Sequence, residues 1–257
     1  LAEGLFPSAY AWSGPTYWVV AVIAALLLFA SVLVHELAHS LVAKHVGIPV
    51  KSITLFLLGG VSILEKEPQA PRHELVMAGV GPLASLLIGG GSWGLGLALR
   101  SPETARAVLL YLGSVNVLLG IFNLLPGFPL DGGRLLRALL WLRSGDFDRA
   151  TNGATLAGTV VGYLLVLAGV ILAVVTSFLG GIWLAFIGWM LIQASRTAHA
   201  QSAVRQQLTH ILVRRVMEPW STWLPPETTL REVRSQFSRD PENRCLPVGE
   251  TGRPPQG

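Results

Sequence analysis

The sequence predicts a mainly α fold class: a polytopic transmembrane helix bundle with a short membrane-associated β hairpin and a polar tail. Three observations carry this expectation. Of 257 residues, 51% are hydrophobic and only 13% are charged, whereas an ordinary soluble domain carries roughly 25% charged residues. The mean hydropathy is +0.54. The apolar residues are also gathered into five segments, each long enough or nearly so to cross a hydrocarbon core of about 30 Å.

In chain order these segments cover about 17–46, 75–99, 107–125, 154–175 and 178–194. Residues 52–63 (SITLFLLGGVSI) are rich in β-branched side chains and broken by Gly59-Gly60, which predicts a hairpin beside the membrane. Glycines 89, 90, 91, 94 and 96, and the pair Gly158 and Gly162, are expected to let helices approach closely. From about Thr197 the composition turns polar, Arg-rich and Pro-rich. The expected division is therefore 1–200, transmembrane, and 201–257, a tail. The chain begins at Leu1 and stops after Pro254-Pro255-Gln256-Gly257, which reads as a fragment trimmed at both ends.

Charge excludes some classes and gives an orientation. The net charge is +4, and no Lys/Arg run with interleaved aromatics suggests nucleic-acid binding. The single cysteine, Cys245, excludes an intrachain disulfide. Lys44, Lys51, Lys66 and Arg72 follow the first segment, and Arg134, Arg137, Arg143 and Arg149 follow the third; the tail begins with Arg196. The opposite side has Arg100 and Arg106. The positive-inside rule then places the C-terminal end of the first helix, the loop around Asp131 and the tail in the cytoplasm.

One motif stands out against this apolar background. His35-Glu36-Leu37-Ala38-His39 lies inside the first segment, directly after residues 17–34, which carry no charge. A charged group at the centre of a membrane helix costs on the order of 2.5–3.5 kcal/mol even on the mild insertion scale, so this cluster needs a partner. His35 and His39 are four apart, project from one helix face and can chelate one ion, with zinc the expected occupant. Glu36 is offset by about 100° and can reach a water at the metal as general base without being a ligand itself. A chance match, with both imidazoles simply hydrogen-bonded in a bundle, is disfavoured by the cost of polar groups at membrane depth. At 1.5 Å per residue, His39 is about 7–8 Å and His35 about 13–14 Å from Lys44. The cluster is expected below the cytoplasmic face, within reach of water.

Two imidazoles are too few for zinc, and a third ligand must come from elsewhere. His45 has the HExxHxxGxxH offset, but that pattern needs Gly where this chain has Val42, so the helix should continue and carry His45 away. Glu65, Glu67 and Glu74 lie among other charges and read as solvated surface. Asp131 is the better choice. It follows Asn123-Leu-Leu-Pro-Gly-Phe-Pro-Leu, in which Pro126 and Pro129 end a helix and Gly127, Gly132 and Gly133 permit tight turns. Irregular backbone at membrane depth is tolerated where it lines a cavity or is buried in protein. The competing reading of Asp131 is a cap for a helix starting near Arg134.

HELAH, AGVGP (78–82) and NLLPGFPLDGG (123–133) together resemble the site-2 protease family of intramembrane zinc metalloproteases, over roughly residues 5–195. The resemblance implies one zinc held by His35, His39 and Asp131, with Glu36 as catalytic base and Asn123 positioning substrate or oxyanion. It implies hydrolysis of peptide bonds within or near transmembrane segments of membrane-protein substrates, in a prokaryotic cell membrane. Members of this type usually carry one more helix before residues 5–7, expected to be missing here, and residues 51–72 are too short for the PDZ domain that some insert. The tail, with Val213–Met217, Leu230–Val233 and Leu246–Val248, looks like the start of a CBS domain, an α/β module. Adenine-nucleotide regulation would require a complete CBS pair; a disordered linker is the alternative. Two other functions remain open: a metal or ion transporter using the His/Asp site, and an inactive membrane binding partner.

Overall fold

The computed structural model of the chain describes residues 1–56, 59–64, 68–209, 225 and 227–239. Its elements are α1 (Leu5–Ala9), α2 (Gly14–His45), β1 (Val50–Phe56), β2 (Gly59–Leu64), α3 (Pro71–Ala98), α4 (Glu103–Asn123), α5 (Asp131–Ser144), α6 (Phe147–Val175), α7 (Phe178–Thr209) and α8 (Leu230–Arg239). The chain divides into two compact units, Leu1–Gln206 and Gln207–Gly257. In the second unit, Leu230–Val233 fall at the start of α8; Val213–Met217 and Leu246–Val248 lie outside the described residues.

Five of the described helices are long and apolar enough to cross a membrane: α2, α3, α4, α6 and residues Phe178–Ala200 of α7. The first four start earlier than the hydrophobic runs because starting signals, not hydropathy, set their ends. Proline stands in the first turn of α2 and of α3, where its missing N–H costs nothing. The side chain of Asp146 caps α6 by accepting from the backbone N–H groups of Asp148 and Arg149 at 3.0 and 3.1 Å. At the other end, α7 does not stop at residue 194 but continues to Thr209. Residues 195–209 contain neither Gly nor Pro, so nothing in the local sequence breaks the helix.

The burial pattern inverts that of a soluble protein. Large apolar residues such as Leu26, Leu87 and Val174 point outward, while Ala24, Ala78, Ser85, Asn116, Ala138 and Ser195 are fully enclosed. Lipid is as apolar as leucine, so helices associate through close packing and polar contacts rather than by hiding leucine. Helix α3 packs against α2, α4 and α5, and α5 also packs against α6.

Only some glycines provide the expected contacts. A Cβ at Gly89 would lie 2.7 Å from Val117 Cγ2, and one at Gly96 would lie 3.0 Å from Leu110 Cδ2, both on α4. Gly90, Gly91 and Gly94 face open space, because they lie on the other side of α3 from the buried Gly89, Ser92 and Gly96, which share one face at spacings of three and four. Gly162 meets Ile192 of α7, whereas Gly158 admits the backbone of Gly127 in the loop between α4 and α5. Strands β1 and β2 pair antiparallel, with Ile53 opposite Ser62 and Phe56 opposite Gly59.

Because its carboxylate alone caps α6 in this way, Asp146→Ala should lower stability by about 0.5–2 kcal/mol. Denaturant titration of the detergent-purified protein checks this, and metal content should not change.

Candidate metal centre

Helical spacing sets His35 and His39 one turn apart on α2, and both are buried. Helix α5 brings the third group. Asp131 Oδ2 lies 3.2 Å from His35 Nε2 and 3.2 Å from His39 Nε2, and the two Nε2 atoms are also 3.2 Å apart. The three side chains form a group able to hold a metal ion.

The outer ring nitrogens determine which atoms face inward. His39 Nδ1 is 2.6 Å from the Met77 carbonyl oxygen. A carbonyl only accepts, so Nδ1–H is the donor and the neutral ring presents the Nε2 lone pair to the cluster. His35 Nδ1 is 2.9 Å from Ser85 Oγ, a hydroxyl that can accept in the same way. Two imidazole lone pairs and a carboxylate oxygen then point at one another. A tetrahedral zinc bonded at about 2.0–2.1 Å holds its ligand atoms about 3.3 Å apart, so the donor set and its spacing fit that ion. Hydrogen-bonded outer nitrogens are the usual means of orienting such ligands.

Clearance comes from Gly81 of α3. A Cβ there would fall 2.1 Å from His39 Nε2 and 2.7 Å from His35 Nε2. No other residue type leaves that side of the cluster open. In the same stretch Pro82 deprives the Ala78 carbonyl of its intrahelical donor.

The remaining candidates separate clearly. Glu36 is buried on α2. Asn123 is the last residue of α4, half-buried, and its Nδ2 donates to the Leu119 carbonyl at 3.0 Å within its own helix. Helix α2 runs through Val42 without a break, and His45 ends it, exposed. Asp131 is not a cap: the helix starts at Asp131 rather than near Arg134, Leu130 holds the cap position, and no side-chain capping bond forms. Glu65 and Glu67 lie outside the described residues.

Glu74 requires a correction. It is not solvated surface but fully buried, and it accepts from Arg137 Nε at 2.8 Å and from Arg137 Nη2. Burying an ionised carboxylate this completely is costly unless it is paired, and Arg137 supplies the cation. Arg137, a loop charge by its sequence context, is buried as well. Met77, Gly81 and Ser85 also join the site without having been expected there. Their signal is a spacing of four along one face of α3, which acquires meaning only with the histidines opposite it.

A bundle of apolar helices around a largely enclosed His/His/Asp group defines a membrane protein with an internal cluster able to hold a metal ion. Comparison with known proteins narrows this. Peptidase family M50 matches residues 23–101 and 98–169, and the chain belongs to that family. It is 43% identical over 237 residues to Rip3 of Mycobacterium tuberculosis, whose name assigns it provisionally to the zinc metalloproteases, covering 91% of this chain and 60% of that protein. It is 31% identical over 237 residues to the zinc metalloprotease MJ0392 of Methanocaldococcus jannaschii, covering 92% of this chain and 66% of that protein. Its structure is similar to the site-2 protease from Methanocaldococcus jannaschii, with a TM-score of 0.54 and 28% identity over 72% of this chain and 88% of that one. The chain thus spans about three fifths of the length of Rip3. Five apolar helices and this family membership make it an integral membrane protein.

Gly81→Ala should place a methyl group among the donor atoms and lower zinc affinity by at least about tenfold, at the scale seen when ligand surroundings are disturbed. Chelator competition on the detergent-purified protein checks it.

Proposed function

We propose that the protein is a zinc endopeptidase hydrolysing peptide bonds within or near transmembrane segments of other membrane proteins. One observation carries the reading: Nε2 of His35, Nε2 of His39 and Oδ2 of Asp131 converge at 3.2 Å inside the bundle, next to the buried carboxylate of Glu36. Membership of a peptidase family, and relatives whose names include zinc metalloprotease, support it.

In this reading His35, His39 and Asp131 hold zinc. Zinc, when bound, supplies Lewis acidity that polarises a carbonyl and favours ionisation of water. Glu36 accepts a proton as the oxygen of water bonds to the substrate carbonyl carbon. It returns that proton to the amine nitrogen as the C–N bond breaks, so the carboxylate is regenerated. His39 is kept in its productive tautomer by the Met77 carbonyl, and Ser85 Oγ is placed to accept from Nδ1–H of His35. Asn123, at the head of the loop that leads to Asp131, orients the substrate carbonyl. A helical substrate must unwind locally, since hydrogen bonds within a helix occupy its carbonyl groups.

The same proposal includes the surroundings. Lys44, Arg143 and Arg149 mark the cytoplasmic side, β1 and β2 lie against that membrane face, and the membrane is that of a prokaryotic cell, as for the bacterial and archaeal relatives. Residues 201–257 begin a CBS-like module that would bind adenine nucleotide only as part of a complete pair.

Glu36→Gln tests the chemistry. Cleavage of a single-span substrate in detergent should fall by about 10²–10⁴-fold with zinc content unchanged. Full cleavage by this variant would overturn the protease reading, and zinc flux surviving in it would favour a transit site. For orientation, a cysteine introduced at Ser144 in a Cys245→Ser background should resist a membrane-impermeant maleimide in intact cells and react after lysis.

A further inference from the structure

Glu74 and Arg137 form a buried ion pair that no step of the proposed reaction uses. Arg137 lies six residues after Asp131 on α5, about 9 Å along the helix. Its guanidinium carbon is 5.1 Å from the Phe128 ring centroid and 4.7 Å from that of Phe147. Phe128 belongs to the loop that enters α5, three residues before Asp131, and Phe147 begins α6. Arg137 therefore grips the segments on both sides of Asp131 and ties them to Glu74 on α3. Glu74 in turn lies three residues before Met77, whose carbonyl holds His39. Positions three and four apart share a helix face, so the face of α3 that anchors α5 is the face that orients the histidines.

The energetics point the same way. Glu74 is fully buried, and among the described residues its Oε2 has no hydrogen-bond partner. A buried pair with an unsatisfied oxygen is a poor device for stability, and well-packed apolar groups often match or exceed one. What the pair supplies, and apolar groups do not, is direction: a forked cation between two aromatic rings fixes the rotation and axial position of α5.

We infer that Glu74 and Arg137 are positioning residues for Asp131, setting α5 on α3 so that the carboxylate meets both imidazoles. The inference rests on the zinc-endopeptidase reading above. Its test uses the full chain in detergent, with zinc affinity from chelator competition, thermal unfolding, and kcat and KM on a single-span substrate. Removing one partner leaves a buried charge and risks the fold, so Glu74→Gln combined with Arg137→Met is compared with the wild type. The expected result is an unfolding temperature close to wild type, zinc bound about 10–100-fold more weakly, and a lower kcat at similar KM. Wild-type zinc affinity and kcat in that double variant would overturn the inference. Arg137→Lys keeps the charge and loses the fork. It should weaken zinc by about tenfold, and unchanged affinity there would also overturn it. Failure of the underlying reading is distinguishable: it appears as a wild type that takes up no zinc, before any variant is compared.

Discussion

Three acceptor atoms, each 3.2 Å from the other two, are forced together inside a bundle whose outer surface is made for lipid. Left to themselves, two imidazole lone pairs and a carboxylate repel, and low dielectric makes the repulsion worse. Their convergence has to be imposed by the scaffold, and it depends on α2 and α5 being held against a common reference. That reference is α3, which packs against both.

The face of α3 reads like a ruler. Glu74, Met77, Gly81 and Ser85 follow one another at intervals of three or four residues, so they stack along a single stripe. Each does a different job at its own height. Glu74 receives α5 through Arg137, Met77 fixes the His39 ring, Gly81 gives both imidazoles clearance, and Ser85 meets His35. An intramembrane site built on one rigid helix needs few parts. The same economy makes it intolerant: a shift of one residue along α3 would replace every partner at once.

How much of this is legible in the sequence depends on whether the signal is local. HELAH is local, and its four-residue spacing puts two imidazoles on one face wherever the helix lies. Asp131 is readable because a Pro/Gly-broken loop at membrane depth survives only where it lines a cavity or is buried in protein. The length of α2 past Val42 follows from the missing glycine. Glu74 is the opposite case. Beside Arg72 and His73 at a helix start it resembles a solvated charge, and its partner is 63 positions away. Pairing of charges over that distance leaves no periodic trace. Gly81 differs from Gly90, Gly91 and Gly94 only by what stands opposite, which a single sequence does not record. Helix starts depart from the hydrophobic runs because caps and prolines, not hydropathy, set them, and α7 runs on past residue 194 because no Gly or Pro stops it.

Residual exposure adds a last step. Side-chain accessibility is 5% at His35, 10% at His39 and 13% at Asp131, so the three groups are largely enclosed yet not sealed. On the flank facing α3, Gly81 carries no side chain and so leaves both imidazoles their clearance. The proposed hydrolysis needs water, and the hydrocarbon core around the bundle holds none. The small exposure left at the three side chains is compatible with both, while the outer nitrogens of both imidazoles are already paired with the protein. The helix that aligns the three side chains thus also leaves them room, at Gly81.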